Sequence, residues 1–128
     1  MDAHTRSRLK TENAIWIVTA GKDCRPHAVP VWFWWDGKTF LIYAVPGQKT
    51  HNIRENPYVE LHLNTDEAGE DVVRVEGRAS IPRSQPPAYK VRGYIRKYGD
   101  QIKDLGMTAQ KFSEDYHVPI RVRPTRFH

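Results

Sequence analysis

The sequence predicts a mainly β protein with minor α: a six-stranded antiparallel barrel of short strands, with short helices arriving late in the chain. Three observations carry this. Two segments alternate apolar and polar residues with a period of two, over Tyr58 to Leu63 and over Val73 to Ile81. Asp36-Gly37 interrupts a long β-branched and aromatic run, a strong hairpin signal. After Ser84 the apolar period becomes helical.

In order, Ile15 to Thr19 reads as a first strand, closed by the polar loop Gly21 to Pro26. The hairpin then takes His27 to Trp35 and Lys38 to Ala44 as its arms, with Asp36-Gly37 as a turn whose two positions need φ > 0. Val29, Val31, Phe33 and Trp35 lie on one face of the first arm, and Pro30, Trp32 and Trp34 on the other. Both faces are apolar, so a helix, a ligand or another subunit must cover the second, and a homodimer is the better explanation. Pro46-Gly47 breaks the strand, and Gln48 to Glu55 reads as a short helix ended by Asn56-Pro57. The two alternating strands follow, joined by an acidic turn over Thr65 to Asp71. Pro86-Pro87 suits a helix start, with Ala88, Val91, Ile95 and Tyr98 at helical spacing until Gly99. Thr108 is placed to cap a second helix to about Tyr116. Val118, Ile120 and Val122 form a last strand before Pro124.

The chain of 128 residues is expected to be a single domain, 1–128, with enough hydrophobic residues (39%) for one core. Four Trp, six Tyr and four Phe argue against disorder. No apolar run approaches the ~20 residues of a membrane span, and MDAHTRSRLK shows no apolar leader segment. A single cysteine, Cys24, excludes internal disulfides and fits a reducing compartment, so a cytoplasmic, membrane-free protein is expected. A formal charge of +5 favours anionic partners.

The richest segment for chemistry is Tyr43 to Ile53. There a helix opens after Pro-Gly with Lys49 in its first turn, where free backbone N–H groups and the positive dipole end make an anion site. Asn52 would share the face of Lys49. The plainer alternative is an ordinary exposed lysine beside a cap. A flat apolar ligand stacked on Trp32 or Trp34 would equally explain the two-faced strand. The six histidines show no metal-binding spacing, Cys24 has no evident base, and no nucleophile elbow or glycine-rich phosphate loop appears. Lys90, Arg92, Arg96 and Lys97, interleaved with Tyr89, Tyr94 and Tyr98, have the look of a nucleic-acid footprint, but a solvated helix face is the better reading. Arg121, Arg123 and Arg126 form a basic edge.

Taken together, His27-Ala-Val-Pro30-Val31-Trp32-Phe33-x-x-Asp36-Gly37, Phe40-Leu-Ile-Tyr43, Lys49-x-x-Asn52-Ile53-x-x-Asn56-Pro57-x-Val59-x-Leu61 and Val73-x-Val75-x-Gly77-x-Ala79 resemble the pyridoxamine 5′-phosphate oxidase-like split β-barrel superfamily. The small flavin/deazaflavin oxidoreductase branch is the most similar, and the ending Val118 to Arg126 is similar to a subgroup that uses coenzyme F420. The resemblance implies an FMN-binding type of split barrel, homodimeric, with cofactor sites at the subunit interface. It implies that the cofactor ring lies along Pro30, Val31, Trp32 and Phe33 and near Tyr43, and that its phosphate lies at Lys49 with Thr50 and Asn52. Gly47 stands where the family often has a second basic residue, which weakens the case for FMN.

The expected function is therefore an oxidoreductase that uses coenzyme F420, with FMN as the alternative, acting on a small conjugated organic substrate. No catalytic residue is assigned; Tyr43 and His27 are possible proton sources but better read as structural hydrogen-bonders. A non-catalytic flavin-binding module and, less favoured, a nucleic-acid-binding barrel are the rival readings.

Overall fold

The computed structural model describes residues 1–128. Its elements are α1 (Ala3–Thr11), β1 (Ala14–Ala20), β2 (Pro26–Trp32), β3 (Trp34–Trp35), β4 (Phe40–Ala44), α2 (Gln48–Glu55), β5 (Tyr58–His62), β6 (Arg74–Ser80), a 3-10 turn (Ala88–Lys90), α3 (Arg92–Asp104), α4 (Ala109–Asp115) and β7 (Val118–Phe127). The strands form one antiparallel sheet in the order β2-β1-β5-β6-β7-β4-β3. Its two end strands, β2 and β3, are consecutive in the chain and separated only by Phe33. The sheet therefore curls back on itself into a half-barrel joined at that residue.

Period-two alternation builds the barrel interior. Ile15 and Ile17 of β1, Leu61 of β5, Val75 of β6 and Ile120 and Val122 of β7 are all buried in one core, closed at one end by Leu9 of α1. A second, smaller core lies outside the barrel, where Tyr94, Tyr98 and Ile102 of α3 and Phe112 of α4 pack on Leu41 and Tyr43. Strand β4 sits between the two: Phe40, Ile42 and Ala44 face inward, Leu41 and Tyr43 face the helices, and all five are buried. That is why Phe40 to Ala44 is an unbroken apolar run rather than an alternating one.

The mainly β architecture, the bounds of α2 and the Thr108 cap of α4, which accepts from the Lys111 N–H at 3.1 Å, agree with the sequence reading. Four details differ. The long arm His27 to Trp35 breaks at Phe33, giving seven strands instead of six. Most of it pairs with β1, and only Trp34 and Trp35 pair with β4. The hairpin loop runs from Asp36 to Thr39 because Trp35 opposes Phe40, and Gly37 alone takes a positive φ, of 96°. The Asp36 carboxylate stands in for the tight turn by accepting from the Lys38 and Thr39 N–H groups at 2.8 and 2.7 Å. Helix α3 begins after the 3-10 turn and runs through Gly99, because Ile102 buries one more turn; it stops at Gly106, whose φ is +75°. Strand β7 continues past Pro124 to Phe127, because the register skips Thr125 and a proline at such an irregularity owes no ladder bond.

Helix α1 has no counterpart in the sequence reading. It buries only Leu9 and is held by polar contacts: Asp2 caps the Thr5 N–H at 2.7 Å, and Arg8 reaches Glu12 and the Asp71 carbonyl.

The break at Phe33 removes two backbone groups from any ladder, and α3 replaces the partners. The Phe33 N–H donates to the Tyr98 hydroxyl at 2.8 Å, and its carbonyl accepts from Lys97 Nζ at 2.8 Å. The Tyr98 hydroxyl in turn donates to the Asn13 carbonyl at 2.6 Å. Burial pushes the Lys97 amine down to about 8, whereas an unfolded chain would keep it near 10.5. Between those values the unfolded state binds more protons, so stability rises with pH. Tyr94 and Tyr98, both raised by burial, act in the opposite direction only above their ordinary value of 10. Thermal unfolding from pH 7.5 to 9.5 is expected to show a rising Tm, and Lys97→Met is expected to flatten that rise.

Candidate functional site

The helices of the second core do not seal the outer face of the barrel. Between β2 and β4 on one side and α3 and α4 on the other lies a cleft of about 420 Å³, within the range of ~300–1,000 Å³ of small-molecule sites. Pro30, Val31 and Trp32 of β2 form one wall, with Ala14 beside them. Tyr43, Ala44 and Val45 at the end of β4 form the floor, and Tyr94, Leu105, Phe112 and Tyr116 form the helical wall. Lys49 closes one end and is the only charged residue of the lining.

Lys49 sits in the first turn of α2. That turn is built by Thr50, whose hydroxyl accepts from the Gly47 N–H at 3.0 Å and donates to the Gly47 carbonyl at 2.9 Å. Beyond them, the N–H groups of Gln48, Lys49 and Thr50 have no intrahelical acceptor. The helix is seated on β1 by Asn52, which donates to Thr19 at 3.1 Å, and by Gly21, where a Cβ would stand 2.8 Å from Asn52 Oδ1. Lys49 makes no ion pair, and burial lowers its amine below the ordinary lysine value.

Two tyrosines face each other across the floor and helical wall, edge to face with centroids 5.1 Å apart. Tyr43 donates to the Pro86 carbonyl at 2.6 Å and accepts from Gln85 Nε2 at 3.2 Å. Gln85 accepts from Arg121 at 2.7 Å, and Arg121 pairs with Asp36 at 3.3 Å. Tyr94 is fully buried, and its hydroxyl has no partner in the protein. Burial raises both phenols, so both stay protonated at neutral pH. The arrangement suits a flat, largely apolar ligand with an anionic group at the Lys49 end.

Five of the eight residues expected at a cofactor share this cleft: Pro30, Val31, Trp32, Tyr43 and Lys49. Phe33 lies in the barrel core, on the opposite face of its strand from Trp32. Thr50 and Asn52 are buried, with their side chains engaged inside the protein as described. The cover expected over the apolar outer face of the strand comes from the chain's own helices: Trp32 stacks on Tyr98 with centroids 4.6 Å apart and on Phe112 at 5.6 Å, and Trp34 lies against Gly93. Tyr94 and Tyr98 are thus core residues, not stacking platforms for bases. Arg121 and Arg123 sit on β7, an interior strand between β6 and β4, and Arg121 is tied to Asp36 and Gln85, so there is no basic sheet edge. His27 lies on β2 outside the cleft, with a buried Nδ1 that has no partner. Sequence reasoning missed Tyr94, Leu105, Phe112 and Tyr116, although the spacing Tyr94-Tyr98-Ile102 marks the buried face of α3. No three His, Cys, Asp or Glu side chains assemble as a metal site, and no helix is long and apolar enough to cross a membrane.

A half-barrel whose sheet ends meet at one residue, with a cleft against it that ends on a helix N-terminus, defines the class of split β-barrel proteins. The family model described as pyridoxamine 5′-phosphate oxidase matches residues 1–128, and the chain belongs to that family. Among solved structures it is similar to an F420 reductase at 20% identity, with a TM-score of 0.71 over 100% of this chain and 98% of that one. It is similar to an FAD-binding protein of Mesorhizobium loti at 17% identity, with a TM-score of 0.64 over 99% and 92%. The heme storage protein HutZ of Vibrio cholerae matches at 13% identity, with a TM-score of 0.69 over 98% and 90%. At these identities the likeness is one of fold. No curated protein sequence matches the chain.

Proposed function

We propose that this protein is an oxidoreductase that holds coenzyme F420 in the cleft between β2, β4, α3 and α4 and serves hydride transfer to a small conjugated organic acceptor. The observation that carries the reading is Lys49: an unpaired, partly desolvated cation at a helix N-terminus, closing one end of an otherwise uncharged, aromatic-walled cleft. Bound there, the deazaflavin would supply the hydride chemistry. Lys49 and the first-turn N–H groups of α2 hold the phosphate. Pro30, Val31 and Trp32 set the plane of the ring. Tyr43, whose proton is engaged by Pro86, orients and does not donate.

Val45, Leu105 and Tyr116 rim the cleft and remain 41%, 60% and 37% exposed. A second copy of the chain laid over this rim would exclude water from the site, which is the role the reading gives to a homodimer.

FMN shares the ring and phosphate and is the alternative cofactor. The absence of a cation at Gly47 favours the deazaflavin, although a Cβ there would meet nothing within 4 Å. Heme is less suited, because no His, Cys or Met lines the cleft, Tyr43 is engaged by Pro86 and Tyr94 is buried, which leaves Tyr116 as the one candidate axial ligand.

Fluorescence titrations with coenzyme F420, FMN and hemin in parallel test the reading. Tightest binding of F420, with Lys49→Ala weakening it at least tenfold (about 1.4 kcal/mol), is expected. Preference for FMN would move the protein to the alternative, and unchanged affinity in Lys49→Ala would remove the phosphate site. Binding without turnover in any acceptor screen would leave a flavin-binding module.

A further inference from the structure

A second concavity, of about 680 Å³, lies apart from the cleft, between α1, β3 and α3. Arg6 and Lys10 of α1 and Arg96 and Lys97 of α3 line it, with Trp34 and Trp35 of β3 between them. None of the four cations pairs with a carboxylate. The one carboxylate of the lining, Asp36, is already engaged by Arg121, by the Thr39 hydroxyl and by two backbone N–H groups. Glu12, the acidic neighbour of Lys97, is engaged by Arg8. Positive charge is therefore left uncompensated around the groove.

The aromatic side of the groove is also unsatisfied. Of the four indoles only Trp16 donates within the chain, to Asn64 at 2.8 Å. Trp34 and Trp35 are half-buried on opposite faces of β3, Trp34 toward α3 and Trp35 toward the barrel core, and neither indole N–H has a partner within the chain. Lys97 is fixed rather than mobile: its amine lies 3.7 Å from the centroid of the Phe33 ring and donates to the Phe33 carbonyl.

We propose that this groove is a second ligand site, separate from the cleft, for a nucleoside phosphate: the base lies against Trp34, and the phosphates meet Arg6, Lys10 and Arg96. Uncompensated guanidinium and ammonium groups supply phosphate recognition, and the half-buried Trp34 ring at the groove wall supplies sequence-tolerant stacking for a base. The site does not depend on what the cleft holds.

Calorimetric titration with ADP, with adenosine and pyrophosphate in separate runs, tests it. ADP is expected to bind at least tenfold more tightly than either fragment, and the double variant Lys10→Ala/Arg96→Ala to weaken ADP at least tenfold. Both substituted residues are exposed and make no hydrogen bond or ion pair, so the fold and the F420 or FMN titration of the cleft should be unchanged. No ADP binding, pyrophosphate binding as tightly as ADP, or undiminished binding in the double variant would each overturn the proposal. So would displacement of ADP by F420, which would place the nucleotide in the cleft. Binding of single-stranded oligonucleotides without binding of ADP would overturn it in favour of a polymer-binding face.

Discussion

Trp32→Ala is expected to lose about 2–3 kcal/mol of stability, less than the ~3–5 kcal/mol of a fully buried aromatic because Trp32 is half-buried at the cleft. The indole stacks almost parallel to Tyr98, with 2° between planes, and within 18° of Phe112. It packs against the second core from the last position of β2, so it is the contact through which that strand meets both late helices. Truncation opens a void that α3 and α4 cannot fill without leaving Leu41 and Tyr43. For a chain of this size the loss corresponds to a fall in Tm of roughly 6–15 °C. Urea unfolding of the wild type, Trp32→Ala and Trp32→Phe measures it, with the phenyl variant recovering part of the stack. The same experiment separates two readings of this residue. A stability loss below about 1 kcal/mol, accompanied by collapse of cofactor affinity, would make Trp32 a ligand platform and only incidentally part of the core.

What could be read from the chain follows the range of the interactions involved. Strands β5 and β6 have one face in the core and one in water, so Val59, Leu61, Val75 and Ala79 declare themselves by alternation alone. Lys49 was legible because its setting is local: Pro46-Gly47 ends a strand and the next eight residues form α2. The break at Phe33 was not, because its partners Tyr98 and Lys97 lie more than sixty residues away. The same distance hid the cover over Trp32 and Trp34. An apolar outer face was visible, and an amphipathic late helix was visible, but only the three-dimensional structure joins them. Helix α1 was invisible for a different reason. It presents a single buried apolar residue, and its capping aspartate and Arg8 contacts leave no periodic trace.

The same substitution at two glycines of α3 is expected to act with opposite signs. Replacing glycine by alanine within a helix favours the helix by about 1 kcal/mol, through the entropy of the unfolded chain. At Gly99 nothing opposes this: a Cβ there would meet only Ile95 Cγ2, at 3.6 Å, an ordinary contact. Gly99→Ala should therefore stabilise by up to about 1 kcal/mol. At Gly93 a Cβ would stand 2.1 Å from Trp34 Cζ2 and 2.2 Å from Cε2, inside the indole itself. Either α3 moves off the sheet or Trp34 leaves its seat. Losing the packing of a tryptophan costs about 3–5 kcal/mol when it is fully buried, and Trp34 is only half-buried. After the helix gain is subtracted, Gly93→Ala should be destabilising by about 2 kcal/mol. Thermal unfolding of the two variants reads the signs directly, and a red shift of tryptophan emission in Gly93→Ala alone would report the displaced indole. Stabilisation by both substitutions would mean that Trp34 relocates freely. In that case the aromatic side of the groove between α1 and α3 is not held by the fold, and Gly93 is dispensable to the architecture around it.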